Sequence, residues 1–161
     1  MDILSFISKR SGWLEKHLKQ ALKGSVLSYD DIRKIDSVGL YFIFTEDSAG
    51  IPGFQYIGQT TRSAKRMREL ASGYRSHTFN RKLLAQRFRE NDIVVDVLSN
   101  NIKKRWAESK IMSVEDFQRH QQGVNELVKI KFKYRFYEYR YTDILAFEHY
   151  AIAILGPLYN D

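Results

Sequence analysis

A carboxylate among apolar neighbours is the most demanding group in this sequence. Glu148 lies within Ile144-Leu-Ala-Phe-Glu-His-Tyr-Ala-Ile-Ala-Ile154, a helix-forming run that is apolar on nearly every side. Residues three and four apart share a helix face, which puts Ile144, Leu145, Ala151 and Ile152 around the carboxylate. A charge so placed must be ion-paired, bound to a cation, or raised in pKa. A salt bridge to an arginine and a metal site stay equally open on this ground. Downstream, Gly156-Pro-Leu-Tyr-Asn160 adds an amide able to orient a neighbour. Tyr41, Tyr56, Gly58 and Arg66 have ordinary readings when taken one at a time: strand aromatics, a turn glycine and a solvated helix charge.

The elements that must position these groups follow from local patterns. Val38 to Phe44 is a short aromatic and β-branched run that reads as a strand. Turn residues from Asp47 to Gly53 lead into a second strand, Phe54 to Gly58, so residues 38 to 58 make a hairpin. Helices follow at about Arg62 to Ala71 and Asn80 to Glu90, the latter with Leu83, Leu84 and Phe88 as its apolar stripe. Ile93 to Leu98 reads as a strand, and Ser113 caps a helix reaching about Leu127. From Lys131 to Tyr141 aromatics and cations alternate, with a phase change after Tyr137 that predicts a bulge or a strand end. Thr142 or Asp143 caps the helix carrying Glu148, and Gly156-Pro157 stops it. Ahead of all this, residues 1 to about 35 are amphipathic and helical, with Gly24 ending one helix and Ser28 starting a short second one. A packing extension is the preferred reading of that segment over a DNA-contacting arm.

At 161 residues the chain fits a single domain with a real core. It has no cysteine, which excludes disulfides, thiolate zinc sites and cysteine nucleophiles and suits a reducing cytosol. A formal charge of +7 points towards a polyanionic partner. The apolar run Ile3 to Ile7 is too short for a signal segment, and Ile144 to Leu155 too short for a membrane span. No membrane association is expected, and the localisation read from the sequence is cytoplasmic.

Gly39-Leu40-Tyr41 followed by Tyr56-Ile57-Gly58 resembles the paired motifs of the GIY-YIG nuclease superfamily, with leucine for isoleucine in the first. Arg66 falls ten residues after Tyr56, Glu148 sits in a late apolar helix, and Asn160 follows it by twelve, all at the family's usual intervals. The resemblance spans residues 38 to 160. It implies an α/β (α+β) fold, a small mixed or antiparallel sheet holding the 38–58 hairpin and the Tyr134 region, flanked by helices. Residues 1–36 form a helical N-terminal extension, and about 79–130 include an insertion relative to compact members.

The same resemblance implies roles. Tyr41 and Tyr56 project their hydroxyls into the site, and one of them activates or positions the attacking water. Arg66 neutralises charge on the scissile phosphate. Glu148 holds a single divalent metal, Mg2+ or Mn2+, that stabilises the leaving oxygen. Asn160 fixes local geometry. His77 stands where some members carry a catalytic histidine and is a base or proton shuttle, or else a surface-loop residue. Arg62, Lys65 and Arg68 with Arg75, Arg81 and Lys82 form a phosphate-tracking surface for double-stranded DNA. Lys103-Lys104-Arg105 suits target recognition or a solvated loop, and no zinc finger or helical tether is recognisable.

The leading expectation is therefore a metal-dependent endonuclease cutting double-stranded DNA, of restriction or mobile-element type, leaving 3′-hydroxyl and 5′-phosphate ends. Cutting both strands with one single-metal site takes two protomers or two visits, so a homodimer is a candidate assembly. The alternatives are a non-catalytic nucleic-acid-binding module on the same fold and a repair or structure-selective nuclease needing a partner. A third reading is a basic structural protein using the Phe132 to Tyr141 strand as an interface.

Overall fold

The computed structural model describes residues 1–94 and 112–160. Strand β1 (Gly39–Glu46) pairs antiparallel with β2 (Pro52–Thr60) on one side and with β3 (Lys133–Glu138) on the other, in the order β2-β1-β3. The mixed-or-antiparallel expectation thus resolves to an antiparallel sheet. Side chains alternate across its plane. Leu40 and Phe42 point to one face and Tyr41 and Ile43 to the other, yet all four are buried because helices cover both faces.

One face carries α1 (Ile3–Leu22) and the Glu148 helix, α6 (Ile144–Leu155). Leu14, Leu18, Phe147 and Ala151 pack there against Leu40, Phe42 and Ile57. Across the sheet lie α2 (Tyr29–Ile32), α3 (Ser63–Leu70), α4 (Thr78–Glu90) and α5 (Val114–Ile130). Met67, Phe79, Leu84, Phe88, Val124 and Val128 form the second core with Tyr41, Ile43 and Tyr134. Helices α4 and α5 belong to this core layer, so the flanks of the expected insertion are structural. The strand expected at Ile93 to Leu98 lies almost wholly outside the described residues, and Lys103-Lys104-Arg105 does so entirely; Ile93 and Val94 are in no strand.

Of the two readings of the aromatic phase change after Tyr137, the strand end holds and the bulge does not, since β3 pairs with β1 in unbroken register and stops at Glu138. Tyr134 faces the second core while Tyr137 and Tyr139 pack with the first, so aromatics appear at both parities of a strand covered on both sides. The irregularity lies in the hairpin instead, between Ile43 and Phe44. Helix α6 is not enclosed: Phe147 and Ala151 are buried, while Leu145 and Ile154 are exposed, because the helix rests on the sheet by one side only. Asp143 precedes α6 without capping it; its carboxylate accepts from the Tyr139 hydroxyl at 2.7 Å and pairs with Arg10 at 2.8 Å.

Ser28 caps α2 through a reciprocal box with Asp31, as its position predicts. Gly156 ends α6 in the left-handed conformation at φ 55°. Among the described residues no helix is long and apolar enough to cross a membrane.

Gly39 is required by contact, since a Cβ there would run into the backbone of Tyr137 and Glu138 in the neighbouring strand. A Gly39→Ala variant is expected to lose about 1–3 kcal/mol of stability or more. Urea unfolding measures this, and a midpoint equal to that of the unsubstituted chain would contradict the tight β1–β3 approach.

Candidate active site

Tyr41 and Tyr56 come from facing strands of the hairpin. The register pairs Tyr41 with Gly58 and Ile43 with Tyr56, which makes the two tyrosines diagonal neighbours on one face. Their rings lie 6.2 Å apart at 25°. Gly58 is the condition for this arrangement, because the Tyr41 ring and hydroxyl occupy the space where a Cβ at residue 58 would stand. Both motif glycines therefore have steric reasons, one against β3 and one beneath Tyr41.

The Tyr41 hydroxyl is the hub. Arg66, one turn into α3, donates its Nε–H to that oxygen at 3.4 Å. His77 lies 2.8 Å from it through Nε2. The histidine is 2% exposed and caps α4, its Nδ1 accepting the Phe79 amide at 3.1 Å. With Nδ1 occupied as an acceptor, the neutral ring carries its proton on Nε2 and donates it to Tyr41. Burial, reinforced by the Arg66 charge, lowers the His77 pKa to about 3. Neither the surface loop nor the neutral-pH proton shuttle describes this residue. It is a fixed donor.

Tyr41 thus accepts two N–H groups, an arrangement that favours a phenolate. Burial opposes it, with the neighbouring Tyr56 adding to the effect, and burial wins: the Tyr41 pKa is raised well above the ordinary phenol value. Arg66 is steadied from behind by Glu69 at 3.0 Å and by the Ser76 carbonyl at 3.3 Å. Glu69 was not singled out from the sequence, although its place three residues after Arg66 on one helix is a readable pairing signal.

Glu148 reaches the same place from the other side of the sheet, and Asn160 from a segment running along the β2 edge. β2 is an edge strand, and its outward backbone groups need partners. Asn160 supplies both for Ile57, accepting its N–H and donating to its C=O at 2.8 Å each. Glu148 accepts the Gln59 N–H through Oε1 at 3.0 Å. The two side chains therefore bracket Gly58 along the edge. Glu148 forms no ion pair among the described residues, which removes the salt-bridge reading. Desolvation raises its pKa, while the Gln59 amide and the charges of His149 and Arg66 hold the rise back.

The basic residues divide. Lys65 is exposed on α3 near Arg66, Arg62 is exposed just ahead of that helix, and Arg75 is exposed beside Tyr74. Arg68 is two residues from Arg66, about 200° around the helix. It lines a separate cavity of about 390 Å³ with Tyr29, Arg33 and Lys129. Lys82 donates to the Tyr159 carbonyl at 2.8 Å, anchoring the tail that carries Asn160. Arg81 is half-buried, with its Nε unbonded among the described groups.

Among the described residues no cluster of three or more His, Asp or Glu side chains able to hold a metal is present. A cation at Glu148 would then have one protein carboxylate. That donor set fits magnesium, a hard ion that keeps most of its waters and binds through one or two carboxylates and substrate phosphate. No family model, curated protein or solved structure matches the chain.

The buried, neutral His77 makes stability depend on pH. Its folded pKa lies below the unfolded value near 6.5, so its contribution is complete above pH 6.5 and is lost as pH falls towards about 3. The slope from this group is about 1.4 kcal/mol per pH unit. Asparagine at residue 77 keeps a capping oxygen and cannot titrate. Urea unfolding from pH 7 to 4 should therefore show His77→Asn converging on the wild-type chain as acidity rises, and parallel curves would refute the assignment.

Proposed function

We propose that the protein is a metal-dependent endonuclease of the GIY-YIG type, hydrolysing phosphodiester bonds of double-stranded DNA. One observation carries this reading: six residues scattered from position 41 to 160 converge on the β2 edge beside Gly58. A hydrogen-bonded set of Tyr41, His77 and Arg66 faces a carboxylate and an amide that bracket the same glycine.

In the reaction, water attacks phosphorus and the bond to the 3′-oxygen breaks, leaving a 3′-hydroxyl and a 5′-phosphate. Tyr41 keeps its proton in the free protein and, with both acceptor directions filled, offers only that proton. Its first task is to orient the attacking water, beside the less buried Tyr56. For attack, Tyr41 loses that proton to solvent, the N–H groups of His77 and Arg66 stabilise the phenolate oxygen, and the phenolate takes a proton from the water as the water oxygen bonds to phosphorus; the departing 3′-oxygen is protonated from solvent. Arg66, already fixed by Glu69, turns its remaining N–H groups to the phosphate, a job for a permanently charged fork. Glu148 would hold the divalent ion, and Asn160 keeps the edge strand in place. A bound Mg2+ or Mn2+ supplies Lewis-acid stabilisation of charge on the leaving oxygen. Arg62, Lys65 and Arg75 track the DNA backbone without choosing a sequence. Within this activity a restriction or mobile-element role is preferred over repair.

The test is supercoiled plasmid with magnesium, in parallel with EDTA and three variants. Nicking or linearisation should vanish with EDTA. It should fall by about 10²–10⁴-fold in Tyr41→Phe and by about 10²–10³-fold in Arg66→Ala. Glu148→Gln keeps an acceptor for Gln59 and removes the charge, so its loss of cleavage reports on metal binding and not on folding. DNA binding that persists in EDTA, with no cleavage of plasmid, single-stranded or branched DNA under magnesium or manganese, would replace this reading with a non-catalytic binding module.

A further inference from the structure

Three cations meet where three helix ends come together. α2 packs against both α3 and α5. The cavity of about 390 Å³ at their ends is lined by Arg33, which closes α2, Arg68 in the last turn of α3 and Lys129 in the last turn of α5, with Tyr29, Asp30 and Ala71. Against three positive charges the lining sets one carboxylate, Asp30.

The helix dipole favours a cation in each last turn, but it does not account for Arg68. The final carbonyls of α3 are already served. Met67 accepts the Ala71 N–H and the Tyr29 hydroxyl, Glu69 accepts the Ser72 N–H and hydroxyl, and Leu70 accepts the Asn80 amide. Arg68 is exposed and has no hydrogen-bond or carboxylate partner among the described residues. Its neighbours are held loosely. Arg33 meets Asp30 through Nε alone, at 2.9 Å, and Lys129 meets Glu126 at 3.2 Å. Exposed pairs within one helical turn are weak and give way to a more strongly charged anion. Behind the cations Tyr29 is buried, with its hydroxyl tied to the Met67 carbonyl. Burial raises the Tyr29 pKa while Lys129, Arg33 and Arg68 each draw it back, so the three charges act at one point.

We propose that this cavity is a second phosphate site, gripping the backbone of the DNA on the far side of α3 from Arg66; DNA as the source of that phosphate rests on the nuclease reading. Arginine suits the task, since its fork reaches two phosphate oxygens at once. Arg66 and Arg68 point about 200° apart on a helix that is about 10–12 Å across with its side chains. At about 3.4 Å of duplex per phosphate of one strand, roughly three to four nucleotides span that width, so a single duplex reaches both sites. Two grips on opposite sides of α3 fix the direction in which the duplex crosses the sheet edge, which Arg66 by itself does not.

Fluorescence anisotropy of a duplex of about 25 base pairs with the full chain in EDTA, at about 50–200 mM salt, tests the proposal. Arg68→Gln combined with Lys129→Gln should raise the dissociation constant by about 10-fold and lower the slope of log K against log salt by about one. Lys9→Gln combined with Lys23→Gln removes the same charge from α1 and should change affinity by less than about twofold. All four side chains are exposed, so the thermal midpoints should match that of the unsubstituted chain. Isothermal titration with inorganic phosphate separates the two sources of the anion. Phosphate binding that requires Arg68, with DNA affinity unaltered, would overturn DNA as the ligand in favour of a free phosphate compound. Equal losses in the two double variants would reduce the effect to net charge and overturn the site, as would no loss in either, or no DNA binding by the unsubstituted chain. Cleavage is not the readout, so the two readings fail separately. A chain that cuts plasmid and binds alike in both variants loses only this site, and one that binds through the cavity without cutting keeps it.

Discussion

An unpaired strand edge governs the arrangement of the site. β2 borders the sheet, and the outward N–H and C=O groups of such a strand must find partners or stay in water. Here the chain's own end supplies them. The amides of Leu158 and Tyr159 donate to the Phe54 and Gln55 carbonyls, Asn160 serves Ile57, and Glu148 serves Gln59. Satisfying the edge therefore brings a carboxylate and an amide to the hairpin glycine, from positions about a hundred residues downstream. A structural need and a chemical placement are met by the same bonds. Lys82 reinforces them by holding the Tyr159 carbonyl from α4.

Opposite that edge, Tyr41 sits in a balance between burial and hydrogen bonding. Two N–H donors reach its oxygen, and one belongs to a cation, yet the raised pKa shows desolvation to be the larger influence. The neutrality of His77 has the same origin. A charged imidazole beside Arg66 in a buried pocket would be penalised by burial and by repulsion together. The resting site thus holds one committed cation, Arg66, with Glu69 as its counter-ion, beside a neutral His77 and a protonated Tyr41.

How much of this was legible in the sequence depends on the kind of constraint. Hairpin, caps and helix ends rest on local chemistry: turn residues from Asp47 to Gly53, Ser28 with Asp31, Gly156 before Pro157. Those elements stand where the pattern puts them. What failed depended on neighbours that no local window contains. Leu145 and Ile154 look like core residues by type, and only the one-sided seating of α6 leaves them exposed. Tyr137 looks out of phase until both faces of β3 are known to be covered. His77 reads as a loop histidine because nothing nearby reveals that its ring is the α4 cap and lies beneath Tyr41. The six candidate site residues came from the resemblance of their motifs and intervals to one nuclease superfamily, with Glu148 marked besides by its apolar helix. That resemblance did not name Glu69, whose place three residues after Arg66 was the readable signal, or say which Tyr41 partners donate.

The two sides of the sheet carry different duties, and this follows from what each helix contributes. Helices α3 and α4 bring Arg66 and His77 onto the face where Tyr41 and Tyr56 lie, so their positions relative to the hairpin decide the hydrogen bonds at one phenol oxygen. α6 instead packs beneath the sheet through Phe147 and Ala151, and only Glu148, next in sequence to Phe147, reaches round to the edge. A shift of α6 along the sheet would move the carboxylate relative to Tyr41 without disturbing the tyrosine's own bonds. α1 packs beside α6, tied to it by Arg10 and Asp143. A displacement of α1 therefore bears first on the carboxylate side of the site. The phenol side keeps its own bonds, with His77 as a helix cap and Gly58 beneath the ring, and feels the carboxylate through its charge.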